Sequence, residues 1–250
     1  MIVLTRNFGQ LGNRLCLSAH LIAAAREYGV TLLTPSFAEY AQYFSATAEA
    51  VWCRYPRRES ASELELSPGS TRLSRGPSPL GRKLTYHSVY LGTRVMTHLR
   101  MNRFPAHIIQ LRGEQSCDLA GASFRKLATS RRPLLLSGWR FRSRPLVDKH
   151  IEAIREHFQI IPKHRQRVDR LIGGLRKGNG PLIGIHSRHG DYARWEGGKY
   201  FYSVADYVRI MRRIREQLAT QDLTFLVCGN ADMNQADFGD LNVHFGTGHL

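Results

Sequence analysis

Short apolar runs alternate with helix-forming stretches at the start of the chain. Residues 2–5, Ile-Val-Leu-Thr, form a run that is typical of a buried strand. A glycine turn at 9–13 follows, and an Ala- and Leu-rich stretch over 13–28 then predicts a helix that ends at Gly29. Residues 30–33 predict the next strand. The order strand, glycine turn, helix, strand indicates the first unit of a parallel α/β sheet.

The middle of the chain carries weaker signals. Residues 54–83 are rich in Pro, Gly, Ser and Arg, and they predict a loop or an insertion. The run 177–181, Lys-Gly-Asn-Gly-Pro, predicts a boundary between two lobes. Between these segments the pattern predicts helices over 84–104, 147–158 and 163–175, and strands over 107–111 and 134–136.

After that boundary the pattern restarts with a strand over 182–186. A helix is predicted over 203–219, with Ser203 and Asp206 as a variant capping box. Strands over 223–227 and 243–245 follow. The apolar positions of the helix have the spacing of one buried face, and they are Val204, Tyr207, Met211, Ile214 and Leu218.

We therefore predict an α/β fold in two lobes. The first spans 1–160 and contains the 54–83 insertion, and the second spans 176–250. The second lobe has only about three strands, fewer than most doubly wound domains, so we expect it to be incomplete.

Composition narrows the class of protein. The chain has 250 residues, of which 42% are hydrophobic and 22% charged, and these values exclude a disordered, collagen-like or coiled-coil protein. No apolar run reaches the roughly 18–20 residues of a membrane span, and the amino terminus resembles a strand more than a signal peptide. The four cysteines form no CxxC pair. We expect reduced thiols and a cytoplasmic location.

The net charge of +16 favours anionic partners, since Lys and Arg total 36 against 20 Asp and Glu. Nucleic acid, phosphorylated small molecules and an anionic membrane face all satisfy this condition. The segment 54–104 has ten Lys and Arg against three acidic residues, yet it carries no helix-turn-helix, zinc-finger or RNP signature. Nucleic-acid binding is therefore a minor alternative.

The strongest chemical signal is the heptapeptide His-Ser-Arg-His-Gly-Asp-Tyr at 186–192, which follows a predicted strand. Open α/β sheets bind their ligands at the carboxyl ends of strands. The guanidinium of Arg188 fits two phosphate oxygens, Gly190 allows a tight turn, and Asp191 can orient the arginine or accept a proton. A surface Arg–Asp pair is an equally good interpretation of these residues alone.

A metal site in this heptapeptide is disfavoured. His186 and His189 are three positions apart, which places them on opposite faces of a strand. No carboxylate or thiol cluster accompanies them. We expect no metal.

A second signal is the turn Gly9-Gln-Leu-Gly12-Asn13-Arg14 between a predicted strand and a predicted helix. A glycine turn at a helix amino terminus presents free N–H groups to an anion. Its spacing matches neither the Walker loop nor the GxGxxG pattern. Taken alone, this segment is better explained as a structural turn.

Together these motifs resemble those of the α-1,2-fucosyltransferases, family 11 of the glycosyltransferases. GQLGNRL at 9–15 is similar to their GxLGNQL opening, and HSRHGDY at 186–192 is similar to their HxRRGDY motif. WEGGKYF at 195–201 resembles the run that follows in bacterial members, and 226–232 lies where the family has an FSDD-like stretch. The matching motifs lie near both ends of the chain, and little similarity is found over residues 40–130.

Three departures accompany the resemblance. His189 stands where the family has a second Arg, and Arg14 stands where it has Gln. The Ser/Thr-rich motif that helps to hold the nucleotide in the family is expected beyond Leu250. The resemblance therefore implies a chain truncated at its carboxyl end.

The resemblance implies a GT-B fold, with two Rossmann-like lobes across a cleft, and a metal-free, inverting transfer of fucose from GDP-fucose to a glycan hydroxyl. Arg188 would neutralise the diphosphate, helped by Arg14, and His186 would contact the diphosphate or ribose. Glu196 would act as the base, with Asp191 as a positioning group. The other implied substrate-binding positions are Gly9, Gly12, Asn13, Gly190, Tyr192 and Asp232.

Several questions stay open at this stage. The predicted diphosphate clamp, Arg188 with Arg14 and the glycine turn, recognises phosphate and not the sugar, so another nucleotide sugar could serve as donor. A non-catalytic remnant of the family is a further alternative. The acceptor glycan and the linkage are not specified by any motif. The basic segment 54–104 could also hold the protein at an anionic membrane face, where lipid-linked glycans are built.

Overall fold

The computed structural model describes residues 1–57, 77–101, 105–176, 180–220, 222–230 and 233–246. Two compact units divide the chain, residues 1–161 and 162–250. Both are mixed α/β units whose strands pair mainly in parallel, which confirms the predicted α/β class. No helix of the described residues is long and apolar enough to cross a membrane.

A five-stranded sheet forms the centre of the first unit. Its order is β3-β2-β1-β6-β4, and all neighbours pair in parallel except β3, which is antiparallel to β2 at the edge. A separate pair joins β5 and β7 in parallel. The bounds are β1 (Ile2–Leu4), β2 (Leu32–Leu33), β3 (Arg54–Tyr55), β4 (His107–Gln110), β5 (Cys117–Asp118), β6 (Leu134–Ser137) and β7 (Phe141–Arg142).

Helix α1 packs its small and apolar side chains into the core of this unit. Leu17, Leu21 and three consecutive alanines, 23–25, are buried in one cluster with Ile2 and Leu134 of the sheet. The alanines carry no bulk beyond Cβ, so the helix can lie close to the strands. The helices of the unit are α1 (Leu11–Glu27), α2 (Pro79–His98), α3 (Ala122–Ala128), α4 (Arg144–Lys149) and α5 (Ile151–His157).

Two predicted boundaries in this unit are wrong. Helix α2 begins at Pro79, inside the predicted 54–83 loop, because the Ser78 hydroxyl caps it by accepting from the Gly81 N–H at 3.0 Å. The single helix expected over 147–158 is two helices, which meet at His150. The His150 imidazole bonds to a Glu27 carboxylate oxygen at 2.7 Å on α1, and this contact holds the bend.

The second unit contains a three-stranded sheet, all parallel, in the order β10-β9-β8. The predicted capping box of α7 is confirmed, since Ser203 and Asp206 exchange both hydrogen bonds. Met211 is fully buried, but Leu218 is 47% exposed, so the buried face of α7 ends before its last turn. The elements are α6 (Pro162–Leu175), β8 (Leu182–Ser187), α7 (Val204–Leu218), β9 (Thr224–Gly229) and β10 (Val243–Phe245).

Candidate functional site

Strand β8 points alternate side chains to opposite faces of its sheet. Ile183 and Ile185 pack against the core of the second unit, and Ser187 is buried. His186 lies on the other face, where it is exposed, and its register partner on β9 is Cys228. The imidazole is therefore accessible to a ligand and is not a packed core side chain.

Arg188 follows β8 directly and uses only part of its guanidinium. Its backbone N–H donates to the Tyr207 hydroxyl at 3.2 Å, and its guanidinium lies 4.5 Å from the Tyr192 ring centroid. Nη2 donates to the Asp191 carboxylate at 3.3 Å, whereas the buried Nε finds no hydrogen-bond acceptor in the described part of the chain. An unsatisfied buried donor is unfavourable by about 1–3 kcal/mol, and an anion would satisfy it.

The loop after Arg188 is fixed by a residue of the neighbouring strand. The Asn230 amide oxygen, just beyond β9, accepts from the His189 backbone N–H at 2.9 Å. The His189 ring lies 4.8 Å from Phe201, and its Nε2 is 2.9 Å from the Tyr202 carbonyl oxygen. Where the family motif has a second Arg, this chain therefore has an imidazole that holds the loop in place.

Gly190 has a conformational reason to be glycine. Its φ is +66°, and a Cβ added there would lie 3.3 Å from Nδ2 of Asn230. Glycine adopts positive φ at no steric penalty. The turn after Arg188 thus requires this residue, whether or not a ligand binds.

Glu196 presents a free carboxylate in an unusual backbone conformation. Its φ is +47°, and Gly197 and Gly198 continue the left-handed run with φ of +68° and +78°. A non-glycine residue in this region is disfavoured by roughly 1–2 kcal/mol. The Glu196 side chain is exposed and makes no hydrogen bond or ion pair to any residue that the structure describes, so its oxygens are open to a proton donor.

A row of aromatic rings extends from Arg188. The centroids of Tyr192 and Trp195 are 5.3 Å apart, and those of Trp195 and Tyr200 are 5.2 Å apart, with moderate tilts. Trp195 is 47% and Tyr200 41% exposed. Exposed ring faces beside a cation can stack on a nucleobase or on the apolar face of a sugar.

In the first unit, the glycine turn is packed against its own asparagine. Gly9 has a φ of +60°, and a Cβ there would lie 2.9 Å from the Cβ of Asn13. Gly12 differs, because a Cβ at that position would meet nothing within 4 Å. No side chain caps the amino end of α1, and its first turn contains no acidic residue. The backbone N–H groups in the first turn of α1 therefore have no side-chain partner, and they can attract an anion.

Arg14 is fully engaged within the first unit. Nε donates to the Gly9 carbonyl at 3.1 Å, Nη1 donates to the Ser36 carbonyl at 3.2 Å, and Nη2 pairs with Glu39 at 2.9 Å. The guanidinium also lies 4.8 Å from the Tyr40 ring centroid. The side chain is only 11% exposed, so its contacts hold the glycine turn on the segment that follows β2.

The predicted site residues therefore fall into two groups. His186, Arg188, Gly190, Asp191 and Tyr192 cluster at the β8 exit, and Glu196 lies in the loop that follows. Asn230, Trp195 and Tyr200 also lie there, although the sequence analysis did not predict them as site residues. Asn230 could have been found from its place directly after the neighbouring strand. The turn residues lie together in the first unit, and Asp232 lies outside the described residues.

No group of three His, Cys, Asp or Glu side chains in the described ranges could hold a metal ion. Comparison with known proteins gives no assignment, since no protein-family model and no curated protein matches the sequence. The fucosyltransferase resemblance consequently stands on the quoted motifs alone.

Proposed function

We propose that this chain is an inverting, metal-independent glycosyltransferase that moves fucose from GDP-fucose to a glycan hydroxyl. One observation carries the proposal beyond the motifs. Arg188 lies at the carboxyl end of a parallel strand with a buried Nε that has no acceptor among the described residues, while Tyr192 and Asp191 fix its orientation. A preorganised cation with unused donors is suited to stabilising a departing diphosphate.

The other exposed groups supply the remaining parts of the reaction. The acceptor hydroxyl oxygen attacks C1 of the sugar from the face opposite the diphosphate, and the C1–O bond to phosphate breaks. Its electron pair passes to the diphosphate, whose charge the Arg188 guanidinium offsets, while the His186 imidazole can donate a hydrogen bond to it. The hydroxyl proton passes to the free carboxylate of Glu196. Exposed Trp195 offers a face on which the guanine or a sugar can stack.

The binding part of the proposal is tested by titrating the full chain with GDP-fucose, GDP-mannose and a UDP-sugar in a calorimeter. We expect GDP-fucose to bind best, and Arg188→Ala to lower transfer at least about 100-fold, as loss of one charge-stabilising donor does. Arg213→Ala, an exposed arginine on α7, is the matched control and should have wild-type activity. Equal activity of both variants would remove Arg188 from the mechanism.

The same titration separates the alternatives. If another nucleotide sugar binds more tightly than GDP-fucose, the proposed diphosphate clamp stands and only the identity of the donor changes. Binding without transfer would identify a non-catalytic relative. Binding of oligonucleotides that weakens steeply with salt, with no response to any nucleotide sugar, would favour a nucleic-acid protein.

The base is tested separately with Glu196→Gln. The amide keeps the shape of the side chain but cannot accept the hydroxyl proton, so transfer should be lost while GDP-fucose still binds. Retained turnover would assign the proton to Asp191 or to no side chain.

A further inference from the structure

A cavity of about 580 Å³ opens at the carboxyl edge of the sheet in the first unit. The adjacent parallel strands β1, β6 and β4 all end there. Thr5 and Arg6 follow β1, Ser137 ends β6, and Gln110 ends β4, while α2 forms the facing wall. This is the edge at which parallel sheets bind ligands, and the volume is within the roughly 300–1,000 Å³ of small-molecule sites.

The lining of the cavity is strongly cationic. Its described lining residues include four arginines, Arg6, Arg94, Arg100 and Arg112, together with His98, and none of them is Asp or Glu. None of the four arginines forms an ion pair with a carboxylate of the described residues. The positive charges of these arginines repel each other across the cavity. A bound polyanion would attract each of them and so offset that repulsion.

The threonine hydroxyls of the cavity already have hydrogen-bond acceptors within the protein. The Thr5 hydroxyl donates to the Leu136 carbonyl at 3.0 Å, and the Thr97 hydroxyl donates to the Thr93 carbonyl at 2.8 Å within α2. Arg112 gives one Nη2 bond to the Gln110 side chain at 3.2 Å. The donors that remain for a ligand are therefore mainly those of the guanidinium groups.

One backbone feature also supports a binding role. Arg100, just past the end of α2, has a φ of +56°, although glycine is the residue that usually occupies this left-handed position. An arginine there is disfavoured relative to an ordinary conformation, because its Cβ crowds the following carbonyl oxygen. The strain places a fourth cation in the lining of the cavity, and strained residues are concentrated at ligand sites.

We propose that this cavity binds a small molecule bearing a diphosphate group. Four guanidinium groups exceed what one phosphate can engage bidentately, and the volume of about 580 Å³ suits a compact ligand better than a nucleic-acid strand. All described residues that line the site belong to the first unit. The proposal does not depend on glycosyl transfer.

Calorimetry with inorganic pyrophosphate tests this site. The titration uses the full chain carrying Arg188→Ala, so that the β8 exit does not contribute. We expect binding that the double variant Arg94→Gln/Arg112→Gln weakens at least about 100-fold, because two charge-assisted hydrogen-bond donors are lost. Both side chains are exposed, and a thermal melt of the variant checks that the fold is kept.

The matched control is Arg131→Gln, an exposed arginine just before β6 and hence at the opposite edge of the same sheet. Its affinity for pyrophosphate should remain within twofold of the parent. Absence of binding, or an equal loss in the control, would overturn the proposal. The proposal would also be overturned if pyrophosphate did not bind while an oligonucleotide bound in a salt-dependent way and the double variant abolished that binding.

Nucleoside diphosphates then identify the source of the diphosphate. Tighter binding of GDP or ADP than of pyrophosphate would indicate a nucleotide ligand, and equal affinity would indicate a diphosphate on a sugar or a lipid. Either result supports the site. Hydrogen exchange should show protection of the 93–98 turn of α2 when the ligand binds, and no protection in the double variant.

Discussion

Arg14 and Arg188 occupy corresponding places in the two motifs of the chain, yet their guanidinium groups are used differently. Arg14 gives all three of its nitrogens to Gly9, Ser36 and Glu39. Arg188 bonds only through Nη2 to a carboxylate, and its buried Nε has no acceptor in the described ranges. A motif arginine can bind a ligand only with donors that the fold leaves unused, which favours Arg188 over Arg14 as the motif arginine that contacts the sugar donor.

The contrast extends to buried titratable groups. In the first unit Arg82 is buried and donates to backbone carbonyls, including that of Ala50 at 3.3 Å. Burial raises the pKa of the Cys53 thiol to about 12 and lowers the pKa of His157 to about 4. Among the described residues of the second unit the buried polar side chain is the neutral Ser187. Protonation should therefore affect the two units unequally.

The largest expected difference between the units is their response to acid. His157 has a pKa of about 4 in the folded chain, against about 6.5 when unfolded. Above pH 6.5 neither state binds the proton and stability is full, and between pH 6.5 and 4 only the unfolded state binds it. Stability should fall by about 3 kcal/mol over that window. Hydrogen exchange at a series of pH values would measure the loss in residues 1–161.

His157→Phe provides the control for this acid effect. The His157 ring makes edge contacts with Tyr55 and Phe158, with centroids 5.4 and 5.2 Å away, and a phenyl ring can keep both. The variant should be less sensitive to acid over the same window. An equal loss of protection in residues 162–250 would contradict the contrast between the units.

The next largest effect is expected at Gly9. Alanine there would be held at positive φ and would press on the Asn13 side chain, so Gly9→Ala should lower the free energy of unfolding by about 2–3 kcal/mol. Urea denaturation measures this loss. A variant as stable as the parent would show that the turn relaxes easily and does not rest on Asn13.

Much of the fold could be predicted because its signals are local. The strand at Val243–Phe245 and the capping box of α7 follow from short patterns in the sequence. The two-residue strands β3, β5 and β7 are too short to show a period, so no pattern indicated them. The break between α4 and α5 depends on a bond between His150 and Glu27, which are 123 residues apart, and no local pattern contains such a contact.

In the candidate site, too, features set by local sequence could be predicted and features set by distant contacts could not. The position of Arg188 at a strand exit was predictable, since an apolar run precedes it directly. The role of His189 was not, because its partner Asn230 is 41 residues further along the chain. The engagement of Arg14 was equally hidden, since Ser36 and Glu39 reach it only after the segment beyond β2 folds back.

Removing the two motif arginines tests the comparison directly. Arg14→Ala takes away three polar contacts from a side chain that is 11% exposed, and it should lower the free energy of unfolding by about 2 kcal/mol. Arg188→Ala loses one long contact to an exposed carboxylate and one contact with the Tyr192 ring, so its stability should change by about 1 kcal/mol or less. Chemical denaturation of both variants measures the difference. A larger loss for Arg188→Ala would reverse the assignment of structural and binding roles.

The smallest expected effect is at Gly12, and it addresses the ligand most directly. An alanine Cβ meets nothing within 4 Å there, and alanine favours a helix over glycine, so Gly12→Ala should gain up to about 0.5 kcal/mol of stability. The Cα–Cβ bond of a helical residue tilts toward the amino terminus, so the added methyl should crowd an anion bound at the uncapped N–H groups of α1. If the turn contacts the nucleotide sugar, this more stable variant should bind GDP-fucose more weakly than the parent in calorimetry. If the variant binds GDP-fucose as tightly as the parent and is at least as stable, the glycine turn is a purely structural element. Of the two motifs, only the one that contains Arg188 would then recognise the diphosphate.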